Sequence, residues 1–418
     1  MLNLRHVIRI SLFAILVHEL CAQTSHEIQF VHDGKIVYGT FTTPSGTGKF
    51  PTVIITPGTG PQDRNGTFTM ADSLFACLYP ELFNETLQPY KQLSEALVDS
   101  GFAVLRYDKL EFTYPPGLLG QITFHKIWLP VESAIEYVKT RSDVDTNCIT
   151  LLGHSEGSSL IPYIALGRSD IKALISIAGP RRPLDSLIAY QSIYFANACD
   201  GDTLAAQDYA DAILEYFHFV RVNHGIGLPS LYGIPATDWY DYLAAVEPVS
   251  ENYNLANLPT LFVGFELDIN APPAEIDRLE NEVNITADFW RLPGIIHYMT
   301  RYDDPNVSML LTDTIIHWLK QQQCFPTSTS EEETIESTFY VYPNPFESDI
   351  NISYHQSLVT DITYRVTDVT GNIILQKTKP GYFDKGFHTL DLHHLVSGIY
   401  FLDIEAQNVN FSQVIIKK

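Results

Sequence analysis

Ile149-Thr150-Leu151-Leu152-Gly153-His154-Ser155-Glu156-Gly157 is the stretch from which the rest of the chain can be read. A short apolar run, ITLLG, stops at G-H-S-E-G, and a helix-forming segment, Ser158 to Leu166, follows at once. A G-x-S-x-G pentapeptide between a buried strand and a helix puts its serine on a tight, strained turn. The hydroxyl is then exposed, and the flanking glycines let the two elements pack closely. Ser155 is therefore expected to be a nucleophile.

Outward from this elbow, apolar runs alternate with helical periods. Ile28–Phe30 and Ile36–Thr43 read as an opening pair of strands, and Thr52–Thr56 (TVIIT) as a buried strand followed by a Gly/Pro loop. Phe102–Tyr107, Ile171–Ala178 and Pro259–Gly264 continue the strand series, with helices over Gln88–Ser100 and Val131–Arg141 between them. Strands that alternate with helices pair in parallel through crossovers, which predicts a three-layer α/β sandwich. The alternation breaks between Pro180 and Leu258. That stretch is too long for a plain connector and is rich in aromatics, among them Tyr190, Tyr194, Tyr216, Phe217, Trp239 and Tyr242. It reads as a helical cap over about 183–257, most of whose aromatics pack the cap onto the core.

A serine hydroxyl attacks only once a base takes its proton. Downstream of the elbow, the strand PTLFVG (259–264) runs into Phe265-Glu266-Leu267-Asp268, ahead of Ala271-Pro272-Pro273. A carboxylate at that strand end is placed to orient a histidine, and Asp268 fits the position better than Glu266. His297, in the loop after Phe289–Leu292, is then the expected base. The order serine, acid, histidine is the one this architecture uses. His154 is expected to pack within the elbow, and His393-His394 belong to the tail. Donors for a developing oxyanion are expected from the backbone N–H of Glu156 and from the loop Pro57–Asn65 (PGTGPQDRN), with Thr59 as the donor. That loop has neither the G-K-[ST] ending of a P-loop nor full G-x-G-x-x-G spacing, so it does not read as a phosphate cradle. No metal or cofactor is called for.

The formal charge of −23, from 49 acids against 26 bases, would repel phosphate backbones and argues against nucleic-acid binding. Arg5 and Arg9 ahead of the apolar run Ile10–Val17 read as a signal peptide over 1–22, with cleavage after Ala22. Export would leave Cys77, Cys148, Cys199 and Cys324, which allow three disulfide pairings, with buried free thiols as the alternative. The α/β part is expected to span 23–324. Pro326–Thr338 is polar and acidic, giving a linker over 325–338. Residues 339–418 carry period-two runs at Asp349–Tyr354, Ile362–Asp368, Asn372–Gln376, Ile399–Ile404 and Ser412–Ile416, a small all-β sandwich.

Taken together, G-T-G-P-Q-D-R-N (58–65), L-R-Y-D-K (105–109), G-H-S-E-G (153–157) and Ala178-Gly179-Pro180-Arg181-Arg182-Pro183 resemble bacterial carboxylesterase-like α/β-hydrolases over roughly residues 25 to 323. The resemblance implies an α/β-hydrolase fold, a Ser155–Asp268–His297 triad, and Asp63-Arg64 as a brace for the oxyanion loop. Many relatives continue Y-D-K-R-G-x-G-x-S, whereas this chain runs Tyr107-Asp108-Lys109-Leu110-Glu111-Phe112-Thr113, so the resemblance does not carry over to the adjoining pocket wall. The tail motifs Val341–Phe346, Thr367–Asn372 and Leu395–Tyr400, with the closing Lys417-Lys418, resemble a type IX secretion C-terminal sorting domain of Bacteroidota. That resemblance implies export across the outer membrane and contact with the secretion machinery. The expected function is a secreted or surface serine hydrolase acting on a small-molecule ester. A serine peptidase or aminopeptidase with the same triad, or a non-catalytic surface binder, are the alternatives. The acidic cap residues Asp208, Asp211, Asp238 and Asp241 bear on the peptidase reading.

Overall fold

The computed structural model describes residues 23–322 and, in the C-terminal part, residues 339–342, 346–354, 358–359, 361–369, 371–379, 382–383, 386–406 and 409–418. The expected leader over 1–22, the linker over 325–338 and Cys324 lie outside the described residues.

The apolar runs form one eight-stranded sheet: β1 (Thr24–His32), β2 (Lys35–Thr43), β3 (Phe50–Thr56), β4 (Ala103–Tyr107), β5 (Val144–His154), β6 (Ile171–Ile177), β7 (Thr260–Phe265) and β8 (Ala287–Leu292). Their order across the sheet is β1-β2-β4-β3-β5-β6-β7-β8. β2 runs antiparallel to β1 and β4, and every other pairing is parallel. Parallel neighbours need crossovers, and these include the helices α1 (Pro89–Asp99), α2 (Pro130–Lys139) and α3 (Glu156–Ala165). Between β6 and β7 the chain builds the cap helices α4 (Leu184–Ala198), α5 (Thr203–Asn223), α6 (Ala236–Val246) and α7 (Val249–Ala256). Helix α8 (Pro273–Glu282) leads to β8, and α9 (Met309–Lys320) closes the α/β unit.

Alternate residues of one strand serve opposite faces of the sheet. Ile54 packs with Leu105, Leu151 and the α2 residues Val131 and Ile135, while Val53 and Ile55 pack with Val104, Leu152 and Leu93 and Leu97 of α1. Both faces are covered, so the central strands read as continuous apolar runs rather than alternating ones. This is the α/β-hydrolase architecture expected from the sequence.

The cap is fastened to the elbow helix by an exchange of hydrogen bonds. Pro162 stands inside α3 and has no N–H for the carbonyl of Ser158 one turn earlier. The Tyr253 hydroxyl of α7 donates to that carbonyl at 2.7 Å. Part of the cap's aromatic set packs inward as expected: Phe217, Trp239 and Tyr242 are buried, and Trp239 and Tyr242 lie against Trp128, whereas Tyr194, Tyr209, Phe219 and Tyr232 are exposed.

The segment after β3 holds more than the loop read from the sequence. Phe68–Thr69 pairs antiparallel with Thr86–Leu87, and a short helix, Ser73–Leu78, lies between them. This insert has its own small core of Met70, Tyr79, Leu82 and Leu87 around Ile296, the residue before the expected base. A disulfide joins its Cys77 to Cys199 at the end of α4. Cys148 is disulfide-bonded as well, so the free-thiol alternative does not hold for these cysteines.

The strand ladders of the tail are antiparallel, and a single parallel bridge joins Phe346 to Lys417. Phe339–Tyr342, Asp349–Tyr354 and Gly386–Asp391 form a three-stranded sheet. Ile373–Lys379, Ile362–Asp368, Gly398–Ala406 and Val409–Lys417 form a four-stranded one. Ile350, Ile352, Tyr364, Val366, Leu402 and Ile404 fill a common core. Among the described residues, no helix is long and apolar enough to cross a membrane.

Candidate active site

β5 runs straight into the turn, and Ser155 adopts φ 54° and ψ −119° before α3 begins. A non-glycine residue in that region is strained, and its surroundings hold it there. The Ser155 N–H donates to the Ile177 carbonyl at 2.9 Å, and Ser158 Oγ donates to the carbonyls of Gly153 (2.7 Å) and Ile177 (3.0 Å). The two glycines of the motif are required by close approach. A Cβ on Gly153 would lie 2.4 Å from the Gly157 carbonyl oxygen, and one on Gly157 would lie 2.3 Å from that of Thr56.

Asp268 sits in the turn beyond β7 and is 3% exposed. One of its carboxylate oxygens accepts the N–H groups of Asn270 and Ala271, each at 2.8 Å. His297 Nδ1 lies 3.0 and 2.9 Å from the two carboxylate oxygens. An ionised carboxylate only accepts, so Nδ1–H donates and Nε2 is left as the basic nitrogen. Glu266, the competing carboxylate, instead accepts the Gly294 N–H at 2.9 Å. His297 reaches the elbow through His154: the two rings are 4.9 Å apart, and His154 Nε2 is 2.9 Å from the His297 carbonyl oxygen. Ser155 Oγ itself makes no hydrogen bond to His297 or to another described residue, so the structure joins the acid to the base and leaves the serine hydroxyl unengaged.

The His297 carbonyl can only accept, so His154 donates from Nε2, and its Nδ1 is an acceptor 2.9 Å from the Tyr90 hydroxyl, whose one proton is shared between this nitrogen and Gln62 Oε1, also 2.9 Å away. The same hydroxyl oxygen accepts the Gly58 N–H at 3.0 Å. One chain of hydrogen bonds thus links the loop before Thr59, the elbow and the backbone of His297. Burial foremost, with His297 alongside, pushes the His154 imidazole down to about 3, so it stays neutral. His154 is therefore more than the packing residue expected from the sequence.

The Pro57–Asn65 loop is bolted to the segment Leu105–Lys109. Arg64 forks onto Asp108, with Nε 3.0 Å from one oxygen and Nη2 2.8 Å from the other. Arg64 thus braces the loop, while Asp63 accepts from Asn65 and Thr67 within it. Lys109 is buried, and its ammonium donates to the Gly58 carbonyl at 3.1 Å and to Glu156 at 3.4 Å. Burial works against the Lys109 charge, but Glu111 and Glu156 more than offset it and hold the ammonium above its ordinary range. Glu111, in the segment where the chain departs from the Y-D-K-R-G pattern, is pushed up by burial. Trp128 Nε1 donates to the other Glu156 oxygen at 3.0 Å.

Ser155, Thr59 and Glu156 share the wall of one cleft with Arg181, Arg182, Leu184, Leu187, Tyr242 and Glu247. Neither the Thr59 N–H nor the Glu156 N–H donates to a described residue. Asp268 and His297 are buried beside the elbow and do not form part of that wall. The acidic cap residues lie off it too, and Asp238 is occupied by the Phe124 N–H at 2.9 Å. Tyr90 is the functional residue that the sequence reading missed. It stands in the first turn of α1 like any core aromatic, and only its hydroxyl's partners distinguish it.

Residues 340–418 match the family described as a secretion system C-terminal sorting domain, and residues 131–222 match the BAAT / acyl-CoA thioester hydrolase C-terminal family. The chain is 30% identical over 159 residues to Esterase EstD of Thermotoga maritima, a stretch covering 37% of this chain and 33% of that esterase. The match thus spans a third of the length of that curated relative. Among solved structures, the chain is similar to the esterase domain of a Rhodothermus marinus protein (15% identity, TM-score 0.45, 72% of this chain and 99% of that one). It is also similar to Est1E from Butyrivibrio proteoclasticus (17% identity, TM-score 0.43, 70% of this chain and 97% of that one). Both resemblances read from the residues are borne out: the chain joins a part similar to esterase-class α/β-hydrolases to a tail similar to secretion-system sorting domains.

Proposed function

We propose that the chain is an exported serine hydrolase that cleaves carboxylic esters through an acyl-enzyme. Ser155 attacks the carbonyl carbon while His297 Nε2 takes the hydroxyl proton. Asp268 holds the ring and balances the imidazolium that forms. The Thr59 and Glu156 N–H groups receive the charge on the carbonyl oxygen, and the amino-terminal end of α3 adds a favourable dipole. His297 then returns the proton to the leaving alcohol, and water clears the acyl group by the same steps in reverse. The observation that carries this reading is the pairing of a strained serine at φ 54° with a buried carboxylate–imidazole pair at the same edge of the sheet. No metal or cofactor enters the steps.

The tail supports delivery by the type IX machinery to the outside of the cell or its surface, by way of the periplasm. The division into a leader over 1–22, a hydrolase part over 23–324 with its cap at about 183–257, a linker over 325–338 and a sorting domain over 339–418 belongs to this proposal. An acyl-CoA thioester would pass through the same acyl-enzyme, so thioesters belong in the same substrate screen. The test is labelling with a fluorophosphonate probe. Wild-type protein is expected to label and Ser155→Ala to remain unlabelled. An unlabelled wild type that turns over no p-nitrophenyl ester of any chain length would overturn the reading.

A further inference from the structure

Arg182 lies in the segment that leads from β6 into the cap, on the wall of the cleft that holds Ser155. Its position is fixed from several sides. Glu275, only 1% exposed, accepts the N–H groups of Arg181 and Arg182 on one oxygen, each at 2.8 Å. Its other oxygen accepts Arg182 Nε at 2.6 Å. The guanidinium then lies over the ring of Tyr190, 4.8 Å from the centroid. That ring also stands within electrostatic reach of Asp268. The anchored guanidinium therefore sits against the first cap helix, α4.

Its two terminal nitrogens donate to no described residue, although the side chain is only 13% exposed. The other charged groups on this wall are engaged. Arg181 pairs with Glu282, Glu247 pairs with Arg221, and Glu156 is held by Lys109 and Trp128. Arg181 meets Glu282 through Nε alone and keeps its terminal nitrogens as well, but its side chain is 27% exposed, so the more enclosed planar, cationic fork on this wall is that of Arg182. Such a fork matches a carboxylate, and a partly buried one gains most from it. The surface charge of −23 does not oppose this, because an enclosed contact is set by its immediate neighbours rather than by screened distant charges.

We propose that Arg182 is a specificity residue that binds a carboxylate of the substrate, so that the favoured esters carry one negative charge beside the scissile bond. This rests on the serine-hydrolase reading above and adds the substrate class. Two substrate pairs test it on the full chain. p-Nitrophenyl hemiglutarate against p-nitrophenyl pentanoate places the charge on the acyl side. 4-Acetoxybenzoate against 4-acetoxybenzamide places it on the alcohol side. Wild type is expected to favour the charged member of one pair by about 10–100-fold in kcat/KM, the range of a charge-assisted hydrogen bond. Arg182→Gln should bring that ratio towards one, and Arg182→Lys, which keeps the cation and guards against a mere folding defect, should keep part of it. A wild-type ratio near one in both pairs, or a ratio unchanged in Arg182→Gln, would overturn the proposal. Calorimetry separates this from failure of the hydrolase reading. Glutarate or 4-hydroxybenzoate should bind Ser155→Ala and bind at least tenfold more weakly once Arg182→Gln is added, whether or not any ester is cleaved. Absence of binding by both acids defeats the subsite.

Discussion

Tyr90→Phe isolates the hydrogen-bond chain that couples the oxyanion loop to the elbow. The Tyr90 side chain is 2% exposed, and its hydroxyl serves two buried groups, the Gly58 N–H at 3.0 Å and His154 Nδ1 at 2.9 Å. Removing the hydroxyl keeps the ring and its packing but leaves both groups without that partner. Each unsatisfied buried group costs roughly 1–3 kcal/mol, so the variant should lose about 2–6 kcal/mol. All four tryptophans, Trp128, Trp239, Trp290 and Trp318, lie in the α/β part, so tryptophan fluorescence during urea unfolding reports on that part alone. Gly58 adjoins Thr59, so a loop freed at Gly58 would also misaim the proposed oxyanion donor. We expect kcat on a p-nitrophenyl ester to fall about 10–100-fold with KM nearly unmoved, the signature of an interaction made in the transition state. Stability within about 0.5 kcal/mol of wild type, together with an unchanged kcat, would refute the coupling.

Asp268→Asn keeps the shape but not the charge that orients His297, and should lower kcat about 10³–10⁴-fold while the fold, followed by circular dichroism, is retained. A loss of less than tenfold would point to Glu266 or another group as the orienting acid. Asp313, in α9, has its carboxyl pushed up to about 6 by burial. The folded state prefers it neutral, so its contribution is intact below about pH 4 and is lost as the pH rises through about 6. Asp313→Asn should therefore raise the melting temperature at pH 8, by an effect of at most about 2–3 kcal/mol, and change it little at pH 4. An equal shift at both pH values would contradict this.

Much of the fold was legible because the sheet is covered on both sides. TVIIT, FAVLRY and ITLLG could not be anything but buried strands once helical periods separated them, and they lie side by side in β3, β4 and β5. The serine turn was legible for a similar reason, since only glycine fits at 153 and 157. Asp268 was separable from Glu266 by its place before Ala271-Pro272-Pro273, and the Asn270 and Ala271 amides that hold it explain why that place matters. What stayed hidden depends on contacts between distant segments. Tyr90 and His154 are 64 residues apart, Lys109 and Gly58 are 51 apart, and nothing local marks either pair. The insert around Phe68–Leu87 has strands too short to show a period. The pairing of Cys77 with Cys199 was one choice among the three that four cysteines allow.

That bridge has a mechanical consequence. It ties the insert after β3 to the far end of α4, and so ties together two excursions from the sheet that lie far apart in the chain. Cap and insert form a hoop and cannot swing apart like the halves of a clam.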